Sequence, residues 1–103
     1  MVKSEVLDAS VLIAKRFGLT TIFNAIEYPP AFEKCTIIWP KKIDFERALD
    51  IGIKLRKAGR TVPAIDLLTA SMCINRNLTL ITKDSDYKNI KFVEPKFKFR
   101  LLK

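Results

Sequence analysis

Apolar residues in this chain fall into two rhythms. Short runs of strand length appear in "SEVLDA", "LTTIFN", "CTIIW", "LTLIT" and "IKFVE", each bounded by proline, asparagine, lysine or an acid. Between them lie stretches of helical period. "ASVLIAKRF" predicts a short helix stopping near Gly18. "KIDFERALDIGIKLRKAGR" predicts the longest helix, with Phe45, Ala48, Leu49, Gly52, Ile53 and Leu55 near one face. Asp44 suits its start and Gly59 its stop. "TVPAIDLLTASMCINRN" predicts another helix, with Pro63 in its first turn and Asn77 at its end. Pro29 and Pro30 break any helix after "AIEY", and "KDSDYKN" reads as a turn or helical turn. The tail "PKFKFRLLK" alternates Lys and Phe, which suits either a half-buried edge strand or a basic arm. Short apolar strands alternating with helices predict an α/β fold with a mainly parallel sheet of four to five strands. In such sheets ligands collect at the carboxyl ends of the strands, near the switch in strand order.

The length of 103 residues suits one domain, spanning residues 1–103. No apolar run approaches the roughly 18 residues of a membrane span, and "MVKSEVLD" lacks the apolar core of a signal peptide. A cytoplasmic protein is therefore expected. Cys35 and Cys73 lack zinc-site spacing, and a disulfide between them finds little support. Trp39 and the phenylalanines read mainly as core.

Charge and the absence of histidine change the picture more. Nineteen Lys and Arg against eleven Asp and Glu leave a net charge of +8, which favours an anionic partner such as nucleic acid. With no histidine, serine–histidine and cysteine–histidine hydrolases are excluded. Any catalysis rests on carboxylates, lysine or a metal bound through oxygen.

The acids are placed suggestively. Asp8 follows the first strand, Glu27 the second, and Asp84 and Asp86 the "LTLIT" strand, while Asp66 opens a helix. Each alone also suits a cap, a turn or a solvated charge. Together, on one sheet edge, they would repel one another unless a cation lay among them. Mg²⁺ or Mn²⁺ fits an all-oxygen set, and suits phosphodiester hydrolysis beneath a basic surface. Ser10 and Thr82 are candidates to orient water or phosphate, and Lys83 to touch phosphate, though helix-start, strand-edge and solvated roles fit them as well.

These residues resemble a known family. "VLDASVLIA" is similar to the opening block of PIN domains, and "TTIFNAIEY" to their second block, where a strand leads to an acid. "GRTVPAIDLLTASMCINRNLTLITKDSDY" resembles their C-terminal half: glycine, proline, an acid opening a helix of small residues, then strand, Thr, basic residue and Asp. The nearest subgroup is the VapC-like toxins of toxin–antitoxin pairs. The resemblance implies a doubly wound sheet, Mg²⁺- or Mn²⁺-dependent ribonuclease activity on RNA, an antitoxin partner and often a homodimer. It carries the family's acids to Asp8, Glu27, Asp66 and Asp84, with Asp86 accessory, and its small hydroxyl positions to Ser10 and Thr82. Asp8, Asp66, Asp84 and Asp86 would hold the metal, with Glu27 completing the shell or positioning water. This chain is a shortened example: 18 residues separate Asp8 from Glu27, prolines follow at 29 and 30, and Ala64 stands where many relatives carry an acid. A catalytically inactive RNA- or protein-binding module of the same fold is the alternative expectation.

Overall fold

The computed structural model describes residues 4–12 and 18–103. Strand β1 (Glu5–Leu7) leads into helix α1 (Ala9–Leu12), and β2 (Gly18–Thr21) into α2 (Ile22–Glu27) and α3 (Ala31–Lys34). Strand β3 (Cys35–Ile38) is followed by α4 (Lys42–Lys57) and α5 (Ala64–Asn75). Strand β4 (Thr79–Thr82) is followed by α6 (Tyr87–Val93) and β5 (Lys98–Leu101). The sheet order is β3-β2-β1-β4-β5 and every pairing is parallel. The chain winds outward from β1 to β3, then returns to β4 on β1's other side. The switch point therefore lies between β1 and β4.

Strand alternation distributes the core to both faces. Val6 and Leu80 pack with Ile51 and Leu55 of α4, Ala70 and Cys73 of α5, Tyr87 and Ile90 of α6, and Phe97. Leu7 and Ile81, the next residue on each strand, pack with Val11 and Leu12 of α1 and Ala31 of α3. Helices thus cover both sides, the doubly wound arrangement that the resemblance implies. Cys73 is buried in this core and forms no disulfide with Cys35.

Helix α4 ends where Gly59 takes φ 71°, a left-handed conformation that glycine adopts without Cβ strain. Arg60 N–H then donates to Leu55 O at 2.9 Å and Gly59 N–H to Arg56 O at 3.1 Å, which closes the last turn. At the other end the cap position is Lys41, and Asp44 lies inside the first turn, accepting from Lys41 N–H at 2.7 Å.

Several expectations are corrected. "IFN" of "LTTIFN" is the start of helix α2, where the Thr21 hydroxyl accepts from Asn24 N–H at 3.2 Å. "IKFVE" belongs to α6, not to a strand, because Tyr87 and Ile90 recur at helical spacing into the core while Phe92 points out. The last strand is the alternating tail, with Phe97 buried and Lys98 and Arg100 exposed. On α4 the buried apolar positions are Ala48, Ile51 and Leu55, whereas Phe45, Leu49 and Ile53 are about half exposed or more. Helical periodicity gives the breadth of an apolar sector, not which edge of it meets the sheet. Trp39, Phe32, Phe45 and Phe92 are likewise exposed rather than core. The predicted helix from Ala9 is seen through Leu12; residues 13–17 of that prediction lie outside the described residues.

Candidate metal centre

The first candidate side chain is set by β1. Asp8 continues the strand ladder for one more residue, its N–H donating to Ile81 O at 3.0 Å. This holds a buried carboxylate at the mouth of the switch point. Two hydroxyls donate to one of its oxygens, Ser10 Oγ and Thr82 Oγ1, each at 2.8 Å from Oδ2. Those hydroxyls also accept backbone N–H groups from the β4–α6 turn: Lys83 N–H reaches Ser10 Oγ at 2.9 Å and Asp84 N–H reaches Thr82 Oγ1 at 3.0 Å. Ser10 and Thr82 therefore bolt the Asp84 turn to Asp8. Lys83 is exposed beside them.

Asp84 accepts Asp86 N–H on Oδ1 at 2.9 Å, an Asx turn that folds the second acid back beside the first. Asp66 approaches from the first turn of α5. One carboxylate oxygen each from Asp66, Asp84 and Asp86 lie within 4.8 Å of one another. Tyr87, which no sequence pattern singles out, joins Asp66 to Asp8. Its hydroxyl donates to Asp66 Oδ1 at 3.3 Å and stands 3.5 Å from Asp8 Oδ1. A tyrosine in a turn carries no local mark of facing inward; only the packing of α6 turns it in.

The electrostatics follow from this crowding. Burial raises the Asp66 carboxyl, the negative charges of Asp84 and Asp8 raise it further, and its pKa reaches about 6 despite the Tyr87 hydrogen bond. Burial, followed by the Asp8 and Asp66 charges, pushes the Tyr87 phenol up as well. It stays a neutral donor throughout the physiological range.

Glu27 stands apart. It is exposed at the end of α2, and among the described residues it makes no hydrogen bond or ion pair with the four aspartates. The α2 side chain that turns inward is Asn24, whose Nδ2 donates to Leu7 O at 3.3 Å beside the Thr20 hydroxyl at 2.6 Å. The structure thus brings Asp8, Asp66, Asp84 and Asp86 to one edge and leaves Glu27 outside. The sequence gives no sign of Asn24's role, because a buried amide within "IFNAIE" has no periodic signature.

The donor set suits a hard divalent cation. Asp66, Asp84 and Asp86 would hold such an ion through their carboxylate oxygens, the donors that hard cations take. Cys73 is no competing soft donor, since it lies in the core, where burial pushes its thiol up to about 12.

A stability prediction arises from Asp66. A carboxyl whose folded-state pKa is raised from 3.8 to about 6 costs nothing at low pH, where it is protonated in both states. Its cost grows as pH rises between those values and is complete above the upper one. Asp66→Asn should therefore stabilise the metal-free protein at pH 7 by about 1 kcal/mol, after discounting for solvent at this half-buried group. That is a rise of roughly 4–8 °C in Tm. Melts in chelator should show the gain at pH 7 and lose it at pH 3. An equal effect at both pH values would mean the carboxylates do not repel.

Neither family models nor curated proteins match the chain. Solved structures do. The chain superimposes on a chain of VapBC2 from Rickettsia felis, solved bound to a DNA fragment from its promoter, with TM-score 0.74 and 15% identity over 94% of this chain and 97% of that one. It matches a chain of VapBC-5 from Mycobacterium tuberculosis, a member of the VapBC toxin–antitoxin family, with TM-score 0.73 and 19% identity over 96% and 99%. It matches a chain of VapBC-1 from nontypeable Haemophilus influenzae with TM-score 0.75 and 15% identity over 94% and 96%. At such identities the likeness is one of fold, and it extends over nearly the whole of each chain. No helix among the described residues is long and apolar enough to cross a membrane.

Proposed function

We propose that this chain is a VapC-like PIN-domain toxin, a Mg²⁺- or Mn²⁺-dependent endoribonuclease partnered by an antitoxin. The observation that carries the reading is the meeting of Asp66, Asp84 and Asp86 within 4.8 Å, beside Asp8, at the switch point of a sheet with the VapBC fold. Asp66, Asp84 and Asp86 would hold the ion, with Asp8 behind them. The ion, when bound, supplies charge neutralisation at phosphate and a lowered pKa for water. The chain's own residues supply the frame. Ser10 and Thr82 fix Asp8 and the Asp84 turn; Tyr87 holds Asp66 against Asp8 while remaining protonated. Lys83, exposed beside them, would meet a phosphate. An antitoxin partner is supported by the neighbours' assemblies and by an apolar groove of about 410 Å³ between α4 and α5, lined by Phe45, Leu49, Ile53, Leu67 and Leu68. Such a groove takes the apolar face of an amphipathic helix.

Glu27's position outside the cluster favours a second reading, a non-catalytic RNA- or protein-binding module. One pair of measurements separates them. Mn²⁺ at about a hundred times its Kd should stabilise the wild type by about 2.7 kcal/mol, and Asp84→Asn should remove most of that. RNA cleavage by the wild type should require Mn²⁺ or Mg²⁺ and fall about a hundredfold in Asp84→Asn. Metal binding without any cleavage would leave the module reading standing and end the nuclease one.

A further inference from the structure

The aspartate cluster lies at one end of β4; a cavity of opposite character lies at the other. Asp84 and Asp86 follow β4, whereas Asn77 precedes it and Lys98 opens β5. Around Asn77 and Lys98 is an open cavity of about 830 Å³. Lys41, Arg47, Arg76, Lys91, Lys96 and Lys98 line it, and no carboxylate or aromatic ring does among the described residues.

Part of this charge is compensated from behind. Asp44 takes both Nη atoms of Arg76, at 2.9 and 3.0 Å, and Glu94 stands 3.7 Å from Arg47. The other four cations have no acidic partner among the described residues. Lys91 Nζ instead donates to Pro95 O at 2.8 Å and Phe97 O at 2.7 Å, which pins the turn presenting Lys96. Lys98 Nζ donates to Asn77 Oδ1 at 2.6 Å, a neutral acceptor that positions the ammonium without cancelling its charge. Lys41, Lys96 and Lys98 are exposed. Gathering like charges around one hollow costs folding free energy that a bound anion offsets.

The shape and lining select the anion. Small-molecule pockets are mostly apolar and enclosing. This cavity is open, and although Ile43, Ile74 and Pro95 form part of its wall, its polar groups are cations and the amides of Asn75 and Asn77. It has no ring on which a base stacks, so it reads backbone rather than sequence. We propose that the cavity is an exosite for the phosphodiester backbone of a single nucleic-acid strand, held independently of sequence. That the strand is RNA running on to the aspartates rests on the nuclease reading above. Helix α5 joins the two places, with Asp66 in its first turn and Asn75 at its end. Its 12 residues correspond to about 18 Å, roughly five steps at the 3.4 Å spacing of a stacked strand and fewer for an extended one.

Fluorescence anisotropy of the full chain in chelator, with labelled 12-mer and 4-mer RNA, tests this without cleavage. The 12-mer should bind at least about tenfold more tightly than the 4-mer at low salt, and Lys96→Gln with Lys98→Gln should remove most of that gain. The slope of log affinity against log salt should fall by about 1.4 in the double variant, about 0.7 for each phosphate that the variant no longer neutralises. A DNA 12-mer should bind alike. An unchanged Tm in the double variant keeps the comparison one of surface charge. Equal 12-mer affinity and slope in both proteins would overturn the exosite. So would the absence of RNA binding, or displacement of the 12-mer by millimolar inorganic phosphate or an acidic peptide at low salt. Cleavage of the 4-mer with Mn²⁺ reads the nuclease site separately: failure there removes the enzyme and leaves the exosite result intact.

Discussion

Arg76→Ala is expected to cost about 3–5 kcal/mol, because it strands a charge inside the protein. Asp44 has no solvent exposure. Burial pushes its carboxyl up, but the Arg76 fork, the Lys41 N–H and the Asn75 amide outweigh that and hold it below the usual range. The guanidinium also donates to Trp39 O at 3.2 Å and Met72 O at 3.0 Å. One side chain therefore ties the loop before α4 to the end of α5, 37 residues apart in sequence. The pH dependence has a definite sign. A depressed carboxyl contributes stability above its unfolded value of 3.8, and that contribution is lost as pH falls through the folded value. In Arg76→Ala the carboxyl has lost its main compensating charge, so acid relieves the variant while it weakens the wild type. Denaturant unfolding at pH 7 and at pH 3 should show the gap between the two proteins closing. A loss under about 1 kcal/mol at pH 7 would show that the ion pair holds little. Replacing both partners by apolar residues of similar volume should cost far less than either single change.

The second large effect is expected at Phe97, where alanine should also cost about 3–5 kcal/mol. Phe97 is fully buried where the tail joins β5. Its ring stacks on Phe99 with centroids 5.3 Å apart and tilts against Tyr87 at 5.9 Å. The cavity left by alanine borders the ring whose hydroxyl joins Asp66 to Asp8. Two readouts should therefore move together. The denaturant midpoint should fall with m unchanged, and the Mn²⁺-dependent rise in Tm should shrink as Tyr87 gains room. Phe97→Leu fills most of the space and should cost about 1–1.5 kcal/mol. A midpoint shift with an undiminished Mn²⁺ response would separate the core from the site and remove Tyr87's positioning role.

Both effects lie in contacts that no short window of sequence displays. Asp44 reads as a helix-start residue and is one, yet its larger role is to receive Arg76 from across the fold. Tyr87 reads as part of a turn and opens α6. The "KFKFR" alternation leaves an edge strand and a basic arm equally open. The structure makes it the edge strand, with Phe97 and Phe99 inward and Lys96 and Lys98 on the cavity. Glu27 and Asn24 show the same boundary within one helix. A three-residue step decides which of them faces β1; the sequence pattern favours the acid, and the packing selects the amide.

Local sequence suffices for the alternation of strand and helix, and with it the ends at which Asp8, Asp84 and Asp86 had to lie. Backbone preference and apolar period act over a few residues, and parallel strands bring their carboxyl ends to one edge. Packing of the whole chain chose which faces met: the pairing of Asp44 with Arg76, the inward turn of Tyr87, the exposure of Glu27 and the convergence of lysines opposite the acids. Those choices depend on side chains tens of residues apart competing for the same volume, and that competition has no local trace.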